Sequence, residues 1–337
     1  MNQLFFRCIA ACLAAGSAFG ASSSFDLTVA AGRHERNNVP VRVPISRGQI
    51  GNERIASATL SCADGQLIPA QWTGPSHTSN SAGELDFVLA HLGVGESLQL
   101  KATVSSQPAR AGGLIWRDQP GHHTDLLFGG RKIVTYHYER LDESTPASRV
   151  RTYRVFHHVF SPSGDRVVTG GLNEDPKVHS PHHRGIFYGF NRITYGDGKR
   201  ADTWHCTDGA FHQHERFLAS EQGPVLGRQR VVISWHGKDT AFAEEERELT
   251  VYNVTGGHLI EFESRLRSTS GRVRIDGDPQ HAGFQFRAHN DVDACTTNET
   301  IFIRPDGVGK PAGLMKPQEV AALSANFVEP VNVTIHE

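Results

Sequence analysis

Cysteine, methionine and long apolar runs are scarce in this sequence of 337 residues. Of five cysteines, two fall in the first twenty residues, leaving Cys62, Cys206 and Cys295. So sparse and odd a set excludes a disulfide framework, although one pair could still bridge, and the core must hold the fold together. Charge of one sign is lacking too. With 34 basic and 36 acidic residues and no basic block, the chain has no electrostatic footprint for nucleic acid. No apolar run reaches the roughly 20 residues that a membrane-spanning helix needs. A Walker A loop, a dinucleotide fingerprint, HExxH and GxSxG are all missing, which argues against nucleotide chemistry and serine hydrolysis. YGDGKRAD is too poor in acids for an EF-hand and reads as a hairpin turn.

The first twenty residues, MNQLFFRCIAACLAAGSAFG, place Arg7 before a short apolar run and end on Ala18 and Gly20. That spelling predicts a signal peptide over residues 1–20, cleaved before Ala21, and an exported protein, periplasmic or extracellular. Lipidation at Cys12 is the alternative, but only four residues separate it from Arg7, fewer than the roughly 7 to 15 of an apolar h-region.

From Phe25 the chain is written in strands. FDLTVAA, VPVRVPI, RIASATLSC, LDFVLAH and ESLQLKATV are short, rich in β-branched and aromatic residues, and separated by Gly, Asn, Ser and Asp. At SSQPARAGG, residues 105–113, the apolar periodicity stops. The expected organisation is therefore all-β: a small N-terminal β-sandwich over 21–110, then a larger antiparallel β-sandwich over 111–337. In HLIEFESRL, Leu259, Glu261, Glu263 and Arg265 alternate with Ile260, Phe262 and Ser264, giving one polar and one inward face. Phe284 and Phe286 share a face and read as core. PQEVAALSA, residues 317–325, is the one helix candidate, and FVEPVNVTIHE stops inside a strand pattern, which raises the expectation of a truncated C-terminus with an unpaired edge.

What is abundant is histidine, 19 residues in all. They cluster at 157–158, at His179, His182 and His183 beside Arg184, from Trp204 and His205 through His212, His214 and Glu215, and in DPQHAGFQFRAHN with Asp278, His281, Arg287 and His289. Taken singly, a histidine in a β protein is more often a half-buried polar residue than a ligand. Taken together they favour a cleft, because each buried polar group left unsatisfied costs about 1 to 3 kcal/mol. His212 and His214 alternate on one face of a strand, so with His205 they form the most ligand-like set for Zn, Cu or Fe. His182 and His183 face one point only if the chain turns, which Pro181 permits. The metal-free alternative is acid/base chemistry on a sugar, with His183 and His281 as acid and base, Glu215 or Asp202 as the carboxylate partner, and Arg184, Trp204 and Arg287 binding substrate.

The segments YRVFHHVFSPSG, HSPHHRGIFYGFNRITYGDGKRADTWHC, HQHERF and DGDPQHAGFQFRAHN, in that order, resemble the secreted bacterial (planctomycete-type) family labelled "methane oxygenase PmoA". The label implies little about activity, since true particulate methane oxygenase subunits span membranes. The resemblance implies a domain of unknown function with a galactose-mutarotase-like appearance, hence a sugar ligand. It implies polar site positions at His158, His182, His183, Arg184, Asp202, Trp204, His205, His214, Glu215, His281, Arg287 and His289. His158, His182 and His289 join the substrate-binding set on that ground. The expected function is an exported carbohydrate-active enzyme performing hydrolysis, elimination or epimerisation. The alternatives are a His-ligated metal-dependent hydrolase or oxygenase, and a non-catalytic glycan-binding module. The expected partner is a glycan or sugar-derived small molecule, with no nucleic acid, and the oligomeric state is open.

Overall fold

The computed structural model describes residues 22–76, 79–109, 112–172, 181–278, 280–289 and 291–292, together with the strands Phe302–Arg304, Gly307–Gly309 and Asn332–His336. The signal segment, His179, Cys295 and the helix expected at 317–325 lie outside the described residues. Strand accounts for 58% and helix for 5%, so the fold is mostly β, with antiparallel sheets in sandwich-like layers. No helix among the described residues is long and apolar enough to cross a membrane. Cys62 and Cys206 are free.

A five-stranded sheet runs in the order Asn332–His336, Ser22–Ala30, Ser97–Ser105, Ser57–Cys62 and Leu67–Ile68. A three-stranded sheet of Arg36–Ile45, Gly83–Leu92 and Ala70–Thr73 packs with it. Period-two alternation explains the core between them: Leu27 and Val29, Leu100, Ala102 and Val104 meet Val41, Val43 and Ile45, Leu85 and Phe87. Pro40 and Pro44 are tolerated because Arg36–Ile45 is an edge strand. The last strand pairs antiparallel with the first, from Asp26 opposite His336 to Ala30 opposite Asn332. It is therefore paired, and it belongs to the N-terminal sheet rather than to the larger sandwich.

The larger sandwich faces a six-stranded sheet against a four-stranded meander. The first runs Ala282–Phe286, Ile186–Phe190, Phe156–Val159, Arg131–His137, His123–Phe128 and Leu114–Gln119; the second is Phe211–Glu221, Leu226–His236, Ala241–Val254 and Gly257–Ser268. Leu126, Val134, Val159 and Ile186 pack against Leu249 and Val251, with Ile260 and Phe262 beside them, as the alternation in HLIEFESRL indicates. Phe284 and Phe286 are not core: each is 52% exposed, because their strand is the sheet's edge.

The two parts are joined by a buried polar seam. Arg228 donates to Glu221 at 2.6 Å, to Glu84 at 3.1 Å and to the carbonyl of Gly74 at 2.6 Å. Gln71 Oε1 accepts from the backbone N–H groups of Val225 and Leu226 at 3.1 and 3.0 Å. Arg42 donates to Asp86 at 3.3 Å and to Tyr252 Oη at 2.7 Å. Burial opposes the charge on Arg228, yet Glu221, Glu248 and Glu84 outweigh it and hold the pKa above its ordinary value.

Candidate metal centre

Three loops of the larger part bring histidines together, and each is shaped by a local rule. In the first, Pro181 to Arg184, a turn precedes the strand Ile186–Phe190. Arg184 is wholly buried and donates to the carbonyls of Pro181 and Val150, both at 2.8 Å, with its guanidinium 4.5 Å from the ring of Tyr153. Gly185 closes the turn at φ 51°, where a Cβ would lie 2.1 Å from the carbonyl oxygen of His157, so only glycine fits.

The second loop, Asp202 to Cys206, is an aspartate turn. Asp202 Oδ1 accepts from the backbone N–H groups of Trp204 and His205 at 2.9 and 2.7 Å, while Oδ2 holds His205 Nδ1 at 2.7 Å. The third loop repeats the device. Asp278 Oδ1 accepts from the backbone of Gln280 at 3.1 Å and holds His281 Nδ1 at 2.7 Å, while Asn191 donates to Oδ2 at 2.6 Å. Arg154 ties the first two loops from behind, donating to the carbonyl of His182 at 2.7 Å, to that of Thr203 at 2.7 Å, and to that of Trp204.

The outcome is a triad of His182, His205 and His281, all half-buried, whose candidate ligand atoms lie within 4.8 Å of one another. Four-coordinate zinc at about 2.0–2.1 Å from each nitrogen sets neighbouring nitrogens about 3.3 Å apart, so a small closing movement of the side chains would seat an ion. A carboxylate on Nδ1 fixes the tautomer of His205 and of His281 with Nε2 as the acceptor, the arrangement found behind metal-ligating imidazoles. Neither Nε2 makes a hydrogen bond among the described residues. Burial, helped by His183 and His205, pushes the pKa of His182 down to about 3, so its ring is neutral near pH 7, the form that ligates. Burial also opposes ionisation of Asp278, but the hydrogen bonds from Asn191, His281 and Gln280 outweigh it and hold the carboxyl below its ordinary value.

His183 stands beside the triad, 4.2 Å from the ring of His182 and stacked 6.0 Å from that of His281. Its Nε2 is buried and has no hydrogen-bond partner among the described residues. Trp204, 2% exposed, forms the floor: its ring lies 4.8 Å from Phe187, 5.7 Å from His281 and 6.1 Å from His183.

The structure gives several residues proposed from the sequence other work. Arg184 is a buried brace for the His182 turn rather than a substrate-binding group, and Trp204 is buried packing rather than an open platform. The metal set His205, His212 and His214 does not assemble. His212 and His214 do share a face, but that face is the apolar core: His212 is wholly buried 4.5 Å from Trp235, and His214 sits 3.3 Å from Tyr136 Oη and 4.5 Å from the ring of Phe217. Glu215 points to the opposite, exposed side and accepts from Ser234, away from the triad. Asp202 is committed to orienting His205. His158 is buried with Nδ1 at 2.9 Å from Thr169 Oγ1, and His289 pairs with Asp291 at 3.3 Å. Arg287 is half-buried, and its backbone N–H donates to Gly185, next to the first loop, at 2.9 Å.

Sequence reasoning named Asp278 in a cluster with His281 but gave it no role, and it missed the repeated spacing. Asp202-Thr-Trp-His205 and Asp278-Pro-Gln-His281 are the same Asp-x-x-His element, which a search for repeated short patterns would have found.

Residues 123–335, more than half of the chain and all three loops of the centre, match the model of a family of unknown function, DUF6807. The chain belongs to that family. No curated protein matches it.

Proposed function

We propose that this protein is a metal-dependent enzyme of the exported, carbohydrate-active kind, working on an oxygen-rich, sugar-derived substrate at His182, His205 and His281. The observation that carries the reading is the pair of Asp-x-x-His elements, each holding an imidazole by Nδ1 at 2.7 Å, in a group of three histidines whose candidate ligand atoms lie within 4.8 Å of one another. Three histidines with further positions open is a catalytic rather than a structural ligand set. A divalent ion there would act as a Lewis acid and bring a bound water toward ionisation near neutral pH. The chain's own residues do the rest. Asp202 and Asp278 orient two ligands, Arg154 and Arg184 fix the loops that carry His182 and His205, and His183 offers a buried nitrogen to a substrate hydroxyl. The likeness to galactose-mutarotase-like sandwiches supports a sugar, and the leader-like first twenty residues support export.

One observation favours a second reading. His281 with Asp278 is also a carboxylate-oriented imidazole of the kind that serves as a general base, so the same cleft without metal would perform acid/base chemistry on a glycan. Metal content separates the two. The purified, dialysed protein is expected to hold about one equivalent of a transition metal and to lose it on His205→Ala or His281→Ala. A metal-free protein that still turns over a glycan would replace the first reading by the second.

A further inference from the structure

Beside the second and third loops of the centre lies a cavity of about 470 Å³, within the roughly 300–1,000 Å³ of small-molecule sites. Two of its lining residues are ones that shape the centre. Asp202 holds His205 Nδ1 at 2.7 Å; Asn191 donates to Asp278 at 2.6 Å, and its backbone N–H donates to the carbonyl of His281 at 3.0 Å. The cavity and the triad therefore share these side chains. One wall is made by the paired strands Arg192–Tyr195 and Lys199–Ala201, in which Ile193 opposite Ala201 packs into the core and Thr194 opposite Arg200 lies on the outer face. The turn that carries Asp208 makes another.

The chemistry of the lining is mixed. Thr194, Arg200 and Asp208 are exposed, and their side chains make no hydrogen bond or ion pair among the described residues. Formal charges in the lining cancel, Arg192 and Arg200 against Asp202 and Asp208, and on the same outer face Arg274 pairs with Asp276 at 3.2 Å. An ion of either sign gains little from such a balance. A neutral ring of hydroxyls, each both donor and acceptor, engages guanidinium, hydroxyl and carboxylate alike. Resting on the sugar reading above, we infer that this cavity is a second sugar-binding subsite. With one unit of a glycan at the histidine triad, it takes the neighbouring neutral unit, recognised by Arg200 and Asp208, so the substrate is an oligosaccharide or a chain end rather than a free sugar.

The test uses the full chain as purified. An array of neutral mono-, di- and trisaccharides of glucose, galactose, mannose, xylose and N-acetylglucosamine, with uronic-acid counterparts, finds the sugar, and the best binder is then titrated by calorimetry beside its own monosaccharide. The longer ligand is expected to bind at least about tenfold more tightly than the monosaccharide. Arg200→Ala and Asp208→Ala are each expected to weaken the longer ligand about tenfold, as loss of a hydrogen bond to a charged group does, and to leave metal content and thermal melting intact. Equal affinity for the two lengths, preference for a uronic disaccharide over its neutral counterpart, or affinity for the longer ligand indifferent to both substitutions would overturn the inference and leave the triad standing as a sugar site. Binding of no saccharide at any length would remove the sugar reading, and the inference with it; metal content of the same sample reports separately on the ligand assignment. If the variants do not fold, the comparison of lengths on the unaltered chain still decides.

Discussion

At the seam between the N-terminal sheets and the larger sandwich, Arg228 directs all three guanidinium nitrogens to protein oxygens. At the histidine triad the order is reversed: Asp202 and Asp278 take up one nitrogen of His205 and of His281, and the other nitrogens meet no protein partner among the described residues. Both clusters are polar and both hold loops or layers in place. The first is closed, since every guanidinium nitrogen of Arg228 already has an acceptor, and it serves stability. The second is oriented but unfinished, and orientation without a partner points to a ligand.

The largest expected break in this contrast comes from pH and falls on neither cluster directly. His137 and His158 have pKa values pushed down by burial to about 3 and about 4, and His157 and His212 are held well below the ordinary 6.5 by the same cause. Well above pH 6.5 all four are neutral in both folded and unfolded chains and add no pH dependence. As pH falls below 6.5 the unfolded chain takes up protons that the folded chain refuses, so stability is lost, by about 1.4 kcal/mol per pH unit for each histidine. By pH 5 His137 and His158, whose values are about 3 and about 4, are together worth on the order of 4 kcal/mol, a large share of the roughly 5 to 15 kcal/mol of a typical domain, and His157 and His212 act in the same direction. Asp86, raised by burial to about 6, works in the opposite direction but is one group against four. Denaturant titrations from pH 7.5 to 4.5 are expected to show a steep fall beginning near pH 6. A flat profile would mean that these rings are hydrated.

Next in size is the seam. Arg228→Ala would remove the guanidinium bonded to Glu84 Oε2 at 3.1 Å, leaving that wholly buried carboxylate only Ser76 and Arg42, and is expected to cost about 3–5 kcal/mol. The same truncation at the triad, His205→Ala, is expected to change the stability of the metal-free protein by less than about 1 kcal/mol, because it removes a half-exposed ring that supports no core. Paired denaturation curves check both, and similar losses would erase the distinction between closed and unfinished clusters. The finest effect is on orientation. Asp202→Asn and Asp278→Asn should each weaken metal binding about 10- to 100-fold without abolishing it, measured by competition with a chelator, and unchanged affinity would show the carboxylates to be bystanders.

Much of the fold was legible because strands announce themselves by period two. Leu27 with Val29 and Val41 with Val43 and Ile45 could be assigned to a core from spelling alone. Other parts were not legible, for physical reasons. TYRVFHHVF, residues 152–160, reads as one strand, yet Thr152 closes the short helix Pro146–Thr152, capped by Thr145 Oγ1 accepting from the backbone of Ser148, and the strand begins only at Phe156. Alternation says that His212 and His214 share a face but not whether that face meets solvent or Trp235. Phe284 and Phe286 look like core until the sheet order makes their strand an edge. At the candidate centre, His182, His205 and His281 were all singled out, but their grouping depends on three loops whose approach is set by Arg154, Gly185 and the two aspartate turns, which no spacing along the chain encodes.

The most direct measurement is elemental analysis of the dialysed protein alongside His205→Ala and Glu215→Gln. About one equivalent of transition metal in the unaltered chain, retained by Glu215→Gln and lost by His205→Ala, is the expected result. A folded protein free of metal, or one that keeps its metal after His205→Ala, would contradict the assignment of His182, His205 and His281 as its ligands.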